Sequence, residues 1–217
     1  MREKTPWPTQ AAMEQIYERK LWGGSSSEFY SGDGSHHPEF VNPYVEIISS
    51  FLKSFETPLT VCDLGCGDFN VGQHLVKHTK KYIAVDIVEH LIHRNNTLFK
   101  DDHLEFFHLD IAKDELPKAD CALVRQVLQH LSNAEVQRVA EKLINFKYVV
   151  LTEHIPDGDF TPNKDIISGQ NTRLKKQSGL DLLVAPFHLQ VKEAKIFLSL
   201  PDKKNKGLIV TRLYQMF

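Results

Sequence analysis

The chain has 217 residues, of which 41% are apolar and 25% charged, and its 26 basic side chains nearly balance 28 acidic ones. A chain of this size buries about 70% of the surface exposed by its unfolded form, so we expect one globular domain without disulfides or structural metal. No stretch approaches the roughly 20 apolar residues of a membrane helix, and the polar first residues do not resemble a signal peptide, so we expect a cytoplasmic protein with no membrane contact. The absence of a long basic block argues against nucleic acid, and three cysteines indicate reduced thiols rather than a metal site.

The N-terminal part of the chain is helical in character. The run AAMEQIYERKLW (11–22) predicts one helix, and residues 42–55 predict a second. Asn42 has the properties of a helix cap, and Pro43 would then lie in the first turn. The small-residue stretch between the two helices predicts a loop.

From residue 59 onward, short β-rich runs alternate with helical segments. Near-continuous apolar runs are typical of strands buried on both faces, and their alternation with helices indicates right-handed crossovers in a mainly parallel sheet. Ser132 and Glu135 have the spacing of a capping box. The predicted strands are LTVCDL (59–64), KYIAVDI (81–87), LEFFHLD (104–110), DCALVR (120–125) and KYVVLTE (147–153), and the predicted helices lie at about 70–79, 88–99 and 133–145.

Two further β-rich runs end the sequence. They are AKIFLSL (194–200) and GLIVTRLYQMF (207–217), joined by PDKKNK. Because so short a connection cannot be a crossover, the pair must form an antiparallel hairpin. The sequence therefore predicts an α/β fold whose parallel sheet ends in one antiparallel hairpin.

The first predicted strand runs into a glycine loop, DLGCGDF. Gly65 and Gly67 allow a sharp turn and the close approach of a ligand, and a helix beginning near Asn70 would point its N–H groups at the same place. Asp63 and Asp68 would repel a pyrophosphate, and Asn70 occupies the position of the third glycine in the dinucleotide fingerprint. S-adenosylmethionine, which carries an ammonium and a sulfonium but no phosphate, suits this charge pattern better.

Acidic residues also end the next two strands. Asp86 follows Gly67 by 19 residues, the position at which an acid can accept both ribose hydroxyls, although it could instead cap the helix that follows. Asp110 is placed to meet the adenine amino group and Ile111 to meet the ring face. An aspartate after a strand is also an ordinary turn residue.

The motifs DLGCG, VDI, LDI and VRQVLQHLS, over about residues 59–155, resemble those of class I S-adenosylmethionine-dependent methyltransferases. The resemblance implies a three-layer Rossmann-like methyltransferase fold with a seven-stranded, mostly parallel sheet, S-adenosyl-L-methionine as cofactor and a small-molecule substrate. The segments LWGGSSSEFYSGDGS and NKDIISGQNTR are similar to a poorly characterised bacterial subgroup, which supplies no substrate. The implied cofactor-binding residues are Asp63, Gly65, Cys66, Gly67, Asp86, Ile87, Asp110, Ile111, Arg125 and Gln126.

The resemblance also divides the chain into segments of one methyltransferase domain. These are an N-terminal helical lid (1–58), a cofactor-binding core (59–155), a substrate-side linker (156–190) and the C-terminal hairpin (191–217).

Methyl transfer requires an acceptor held close to the methyl carbon, exclusion of water and, for a hydroxyl, removal of a proton. His154, directly after the fifth predicted strand, is a candidate general base, and the alternative is a structural strand-end histidine. His130 is a second candidate, with packing beneath the cofactor as its alternative. Candidates for the substrate side are Trp22, Tyr30, His36 and His37, whose alternatives are core packing for Trp22 and a solvated loop for the histidines.

These observations favour an enzyme that methylates a small molecule, and we expect oxygen as the accepting atom. Two alternatives remain open: a non-catalytic module that binds S-adenosylmethionine, and an NAD-dependent oxidoreductase on the same fold.

Overall fold

The computed structural model describes residues 7–24 and 29–217. Five helices are present in this part of the chain: α1 (Thr9–Glu18), α2 (Asp33–His36), α3 (Pro38–Lys53), α4 (Glu89–Leu98) and α5 (Asn133–Leu143). Seven strands form one sheet: β1 (Thr60–Leu64), β2 (Lys81–Asp86), β3 (Leu104–His108), β4 (Cys121–Arg125), β5 (Tyr148–Pro156), β6 (Glu193–Asp202) and β7 (Gly207–Gln215).

The sheet has the strand order β3-β2-β1-β4-β5-β7-β6. Strands β1 to β5 are mutually parallel, whereas β7 is antiparallel to both β5 and β6. The predicted α/β fold, with a seven-stranded sheet that is mostly parallel and ends in an antiparallel hairpin, is confirmed. The strand order reverses between β1 and β4, so a crevice opens beside the carboxyl end of β1.

Apolar side chains of alternate strand residues pack on the two faces of the sheet. On β1, Cys62 and Leu64 join the core that α1 and α5 cover, whereas Val61 joins the core beneath α3. The sheet is thus buried on both faces, as the continuous apolar runs predicted. Helix α1 contributes Met13 and Ile16 to the first core, which fixes the N-terminal segment at the crevice.

One predicted helix is absent, and the start of another was misplaced. The predicted helix over 70–79 is a pair of 3-10 turns, Gly72–His74 and Val76–His78. Phe69 has a left-handed φ of 64°, and a side chain on Gly72 would collide with its ring, so the chain turns too tightly here for an α-helix. Helix α3 begins at Pro38, not at Asn42, and contains Pro43 within it. The capping box of Ser132 and Glu135 on α5 is present as predicted.

Candidate functional site

The loop after β1 folds tightly against two neighbouring segments. The backbone N–H groups of Gly65 and Cys66 both donate to the Val85 carbonyl, at 2.8 and 2.9 Å. Gly65 and Gly67 have positive φ values of 84° and 55°. A side chain on Gly65 would collide with Val127, and one on Gly67 would collide with Ser31, so glycine is required at both positions.

Asp86, at the end of β2, is buried and holds this loop. Its Oδ2 accepts from the Gly67 N–H and its Oδ1 from the Val88 N–H, each at 2.9 Å. Burial raises the pKa of this carboxyl, and the backbone hydrogen bonds oppose the rise. Because a carboxylate can accept about four hydrogen bonds, Asp86 keeps acceptor capacity for a ligand.

A cavity of about 430 Å³ opens at the carboxyl ends of β1 to β5. The glycine loop and Asp86 form one side of it, and the β6–β7 turn and His154 form another. Nine of the ten residues predicted to bind the cofactor line this cavity: Gly65, Cys66, Gly67, Asp86, Ile87, Asp110, Ile111, Arg125 and Gln126. The histidines predicted as catalytic, His130 and His154, line it too, as does Trp22.

Asp63 is the exception. Its Oδ2 accepts a hydrogen bond of 2.8 Å from the Tyr82 hydroxyl, and the residue lines a separate cavity of about 30 Å³ behind the glycine loop, together with Asp68. Burial raises the pKa of Asp63 to about 6. The two acids that suggested a cationic ligand, Asp63 on β1 and Asp68 in the loop after it, therefore line the smaller cavity and not the larger one.

Asp68 binds the N-terminal segment to the sheet. Its Oδ2 lies 2.6 Å from His36 Nε2 and accepts from the Ser31 N–H at 2.9 Å, while its own N–H donates to Ser31 Oγ. The Tyr17 hydroxyl lies 2.9 Å from the same Ser31 Oγ. These contacts connect the segment before α3 to the glycine loop.

Three predicted substrate-side residues lie outside the larger cavity. The ring of Tyr30 stacks on that of His36 at 4.1 Å, and its hydroxyl donates to Asp33. The half-exposed His37 lies 3.6 Å from Asp33. Their contacts with Asp33 and Asp68 thus hold Tyr30, His36 and His37 outside the larger cavity.

Arg125, at the end of β4, anchors α2 over the cavity. Its guanidinium donates to the Gly34 carbonyl at 2.5 Å and to Ser35 Oγ at 3.1 Å, and lies 4.9 Å from the ring centre of Tyr44. On the opposite side, Lys204 of the β6–β7 turn donates to Asp33 at 2.5 Å. Helix α2 thus bridges β4 and the C-terminal hairpin.

Asp110 and its neighbour Ile111 line the part of the cavity that is next to the end of β3. Asp110 Oδ1 accepts from the Ala112 N–H at 3.0 Å, and Lys113 lies 2.8 Å from its Oδ2. Ile111 is buried and presents an apolar surface beside this polar group. The pair forms a wall that is apolar in the middle and polar at its edge.

His130 and His154 differ in their surroundings. His130 contacts Trp22, with 5.0 Å between ring centres, and burial lowers its pKa to about 4. His154 lies within β5, not after it, and its backbone N–H donates to Gln129 Oε1 at 2.9 Å. Its Nε2 lies 3.6 Å from Asp202 Oδ2; burial lowers the pKa of His154 and the Asp202 charge raises it. Both rings are thus neutral at neutral pH unless a ligand changes their environment.

Sequence reasoning missed Asp202, Gln129 and the two residues of the Asp33–Lys204 bridge. Asp202 ends β6, two residues beyond the predicted strand, opposite Gly207. An aspartate at the start of a hairpin turn was the available signal, but only the register of β5 against β7 brings that turn beside His154.

The described residues contain no cluster of metal-ligating side chains and no helix long and apolar enough to cross a membrane. The three cysteines, Cys62, Cys66 and Cys121, are free thiols.

Residues 62–146 match the model of the methyltransferase domain family, and no curated protein sequence matches the chain significantly. The N-methyltransferase NodS from Bradyrhizobium japonicum WM9, in complex with S-adenosyl-L-homocysteine, is a structural neighbour with a TM-score of 0.69 and 12% identity, over 94% of this chain and 98% of its own. Magnesium protoporphyrin IX methyltransferase from Synechocystis PCC 6803, with the same ligand, has a TM-score of 0.60 and 13% identity, over 96% of this chain and 100% of its own.

A third neighbour is the 1,6-didemethyltoxoflavin-N1-methyltransferase from Burkholderia thailandensis, with a TM-score of 0.59 and 14% identity, over 99% of this chain and 94% of its own. At these identities the structural likeness establishes the fold. The family match supplies the domain, since it spans the glycine loop, β2 to β4 and α5. The two comparisons agree: the methyltransferase domain model matches residues 62–146, and the chain as a whole has the fold of these methyltransferases.

Proposed function

We propose that this methyltransferase transfers a methyl group from S-adenosylmethionine to a hydroxyl oxygen of a polar small molecule. The observation that carries the proposal is one cavity of about 430 Å³, in which the glycine loop and Asp86 face a second wall containing His154. This volume lies within the range of about 300–1,000 Å³ that is typical of small-molecule sites.

The cofactor side has groups that suit an adenosine. Asp86 has acceptor capacity left for the ribose hydroxyls, and Asp110 beside the apolar Ile111 suits an adenine edge and face. The bare backbone at Gly65 and Gly67 leaves room for the amino-acid part. When bound, S-adenosylmethionine supplies an electrophilic methyl group on its sulfonium.

The acceptor side is polar. His154, Gln129, Asp202 and Asn205 line it, so it suits a molecule with hydroxyl groups better than an apolar one. A neutral histidine can remove the proton of a hydroxyl, which an alcohol or phenol must lose during transfer. The names of two neighbours describe N-methyltransferases, and a neutral amine is already nucleophilic; the presence of a buried base favours oxygen for this chain.

The structure of the loop bears on the oxidoreductase alternative. A dinucleotide pyrophosphate binds at a helix N-terminus after the glycine loop. Here Asn70 replaces the third glycine, and 3-10 turns replace the helix. Both features count against NAD.

We also propose a cellular location and a class of substrate. Free, buried thiols at Cys62 and Cys121 suit a reducing compartment, so we propose a cytoplasmic location. The near-balanced charge supports a small-molecule substrate rather than a nucleic acid.

The test is a two-stage assay. Calorimetry should detect binding of S-adenosylhomocysteine and none of NAD; a preference for NAD would overturn the proposal. The enzyme is then incubated with S-adenosylmethionine and hydroxylated aromatic, sugar-like and amine acceptors, and S-adenosylhomocysteine is measured by mass spectrometry. Product from hydroxylated acceptors alone supports O-methylation, product from amines alone would refute it, and cofactor binding without product from any acceptor would favour the non-catalytic module.

A further inference from the structure

A buried histidine and a buried aspartate meet at the acceptor side of the cavity. His154 of β5 and Asp202 of β6 both line the cavity, and each side chain is only 8% exposed. His154 Nε2 lies 3.6 Å from Asp202 Oδ2 and has no hydrogen-bond partner among residues 7–24 and 29–217. A buried, unpartnered ring nitrogen beside a carboxylate calls for an explanation, because such atoms are nearly always satisfied.

The hairpin turn fixes the carboxylate. Asn205 donates its backbone N–H to Asp202 Oδ1 at 3.1 Å and its side-chain amide to Oδ2 at 2.7 Å. Both carboxyl oxygens thus have a partner that limits rotation. The acid is held in place before any ligand binds.

The histidine is fixed from the other side. Its backbone N–H donates to Gln129, and its ring lies over Gly207, where any added Cβ would lie 2.7 Å from Nε2. Gly207 pairs with Asp202 across the hairpin and with Pro156 of β5. One glycine therefore gives the ring space and brings the two strands that carry the pair together.

We propose that Asp202 is a positioning residue that orients His154 as the general base for the methyl acceptor and stabilises its charged form. This inference rests on the proposed methyl transfer and assigns its proton path. The acceptor oxygen forms a bond to the methyl carbon as its proton passes to His154, and the broken C–S bond leaves its electron pair on sulfur. The positive charge moves from the sulfonium to the imidazolium, which lies beside the Asp202 carboxylate.

His130 is a weaker candidate for this role. Its pKa of about 4 makes it a poor base, and the raising contributions come from backbone groups rather than from a carboxylate. Asp202 is the charged group that raises the pKa of His154 against the effect of burial. The other charged side chains that line the cavity are Asp33, Asp86, Asp110, Arg125 and Lys204.

The test follows the His154 ring directly. Protein labelled with ¹⁵N-histidine is titrated by NMR, alone and with S-adenosylhomocysteine, and the His154 signal is assigned by its loss in His154→Gln. Asp202→Asn should move the His154 titration midpoint to lower pH, because the stabilising charge is gone. Asp157→Asn, which removes an exposed acid three residues after His154 and outside the cavity, should leave it unchanged.

An unchanged midpoint in folded Asp202→Asn would overturn the inference. If that variant does not fold, Asp202→Ser provides the same comparison, since its hydroxyl can still accept from Asn205. Turnover of Asp202→Asn with an acceptor found in the screen should fall on the order of tenfold, with its acid limb displaced in the same direction as the NMR midpoint.

Calorimetry distinguishes a failure of the role inferred for Asp202 from a failure of the proposed function. Suppose that the unaltered protein binds S-adenosylhomocysteine but the pH midpoint of the His154 titration is the same in Asp202→Asn. This result would refute the role of Asp202 and leave the proposed function unaffected. Failure of the unaltered protein to bind S-adenosylhomocysteine would refute the proposed function itself.

Discussion

Asp86→Asn is the sharpest test of the cofactor side, because the substitution keeps the volume of the side chain and removes its charge and one acceptor. The carboxylate now accepts two backbone hydrogen bonds of 2.9 Å from Gly67 and Val88. An asparagine can keep the Val88 bond, whereas its amide group would face the Gly67 N–H. We expect the loop to loosen and the free energy of unfolding to fall by about 1 kcal/mol.

The larger effect should be on ligand affinity. Hydrogen bonds to a charged partner contribute about 1.5–3 kcal/mol each, against about 0.5–1.5 for a neutral one, so two ribose hydroxyls should lose about 2–3 kcal/mol together. This corresponds to a Kd for S-adenosylhomocysteine that is roughly 30- to 150-fold higher. Affinity of the unaltered protein should also weaken on acidification, from a higher pH than for an ordinary aspartate, because burial raises the pKa of Asp86.

Isothermal titration calorimetry measures both effects, with thermal unfolding as the check that the variant is folded. Asp102→Asn removes an exposed acid in the turn before β3 and serves as the matched control. A folded Asp86→Asn protein with the affinity of the control would show that Asp86 does not contact the ribose.

Three further outcomes are expected. Gly67→Ala should lower the unfolding midpoint by roughly 3–10 °C, because a left-handed φ costs about 1–2 kcal/mol and the new methyl group would meet Ser31; an unchanged melting curve would contradict the steric argument. Burial raises the pKa of Glu153 from 4.5 to about 8, so the folded state binds a proton that the unfolded state has lost, and stability should fall as pH rises from about 5 to 8; Glu153→Gln should remove that slope in thermal melts, and parallel slopes would refute a protonated Glu153. Lys204→Met should speed dissociation of S-adenosylhomocysteine in stopped-flow experiments with little change in stability, since it breaks only the exposed bridge to Asp33; equal dissociation rates would show that this bridge does not retain the ligand.

The sequence predicted best where one interaction dominates. Buried apolar runs located the central strands to within three residues at each end, and the hairpin followed from the length of its turn. Ser132 and Glu135 located the start of α5, because a capping box satisfies its hydrogen bonds within four residues. These features depend on neighbours close in the chain.

Two helix predictions failed for other local reasons. The segment after the glycine loop has helix-like composition, but Phe69 has a left-handed backbone, its ring packs where a side chain on Gly72 would lie, and the segment forms 3-10 turns instead. Asn42 looked like a cap, yet Pro38 begins α3 earlier, at a position where its fixed φ suits a first turn. In neither case did helix-like composition or a candidate capping residue alone determine where the helix forms.

In the candidate site, the sequence predicted which residues lie there better than it predicted how their side chains are oriented. Residues at strand ends could be identified from the sequence, and nine of the ten residues predicted to bind the cofactor line the larger cavity. The orientation of Asp63 depends on Tyr82, and the position of His36 depends on Asp68, and both partners are distant in sequence. No local pattern carries that information.

The place of β7 in the sheet has a consequence for biosynthesis. Strand β7 is synthesised last of the seven, yet it lies between β5 and β6 and contacts both. During translation, β5 has no partner on its outer side, and the turn carrying Asp202 has no fixed position until β7 leaves the ribosome. A nascent chain halted before β7 would therefore expose the outer edge of β5 unpaired, and exposed strand edges are prone to aggregation.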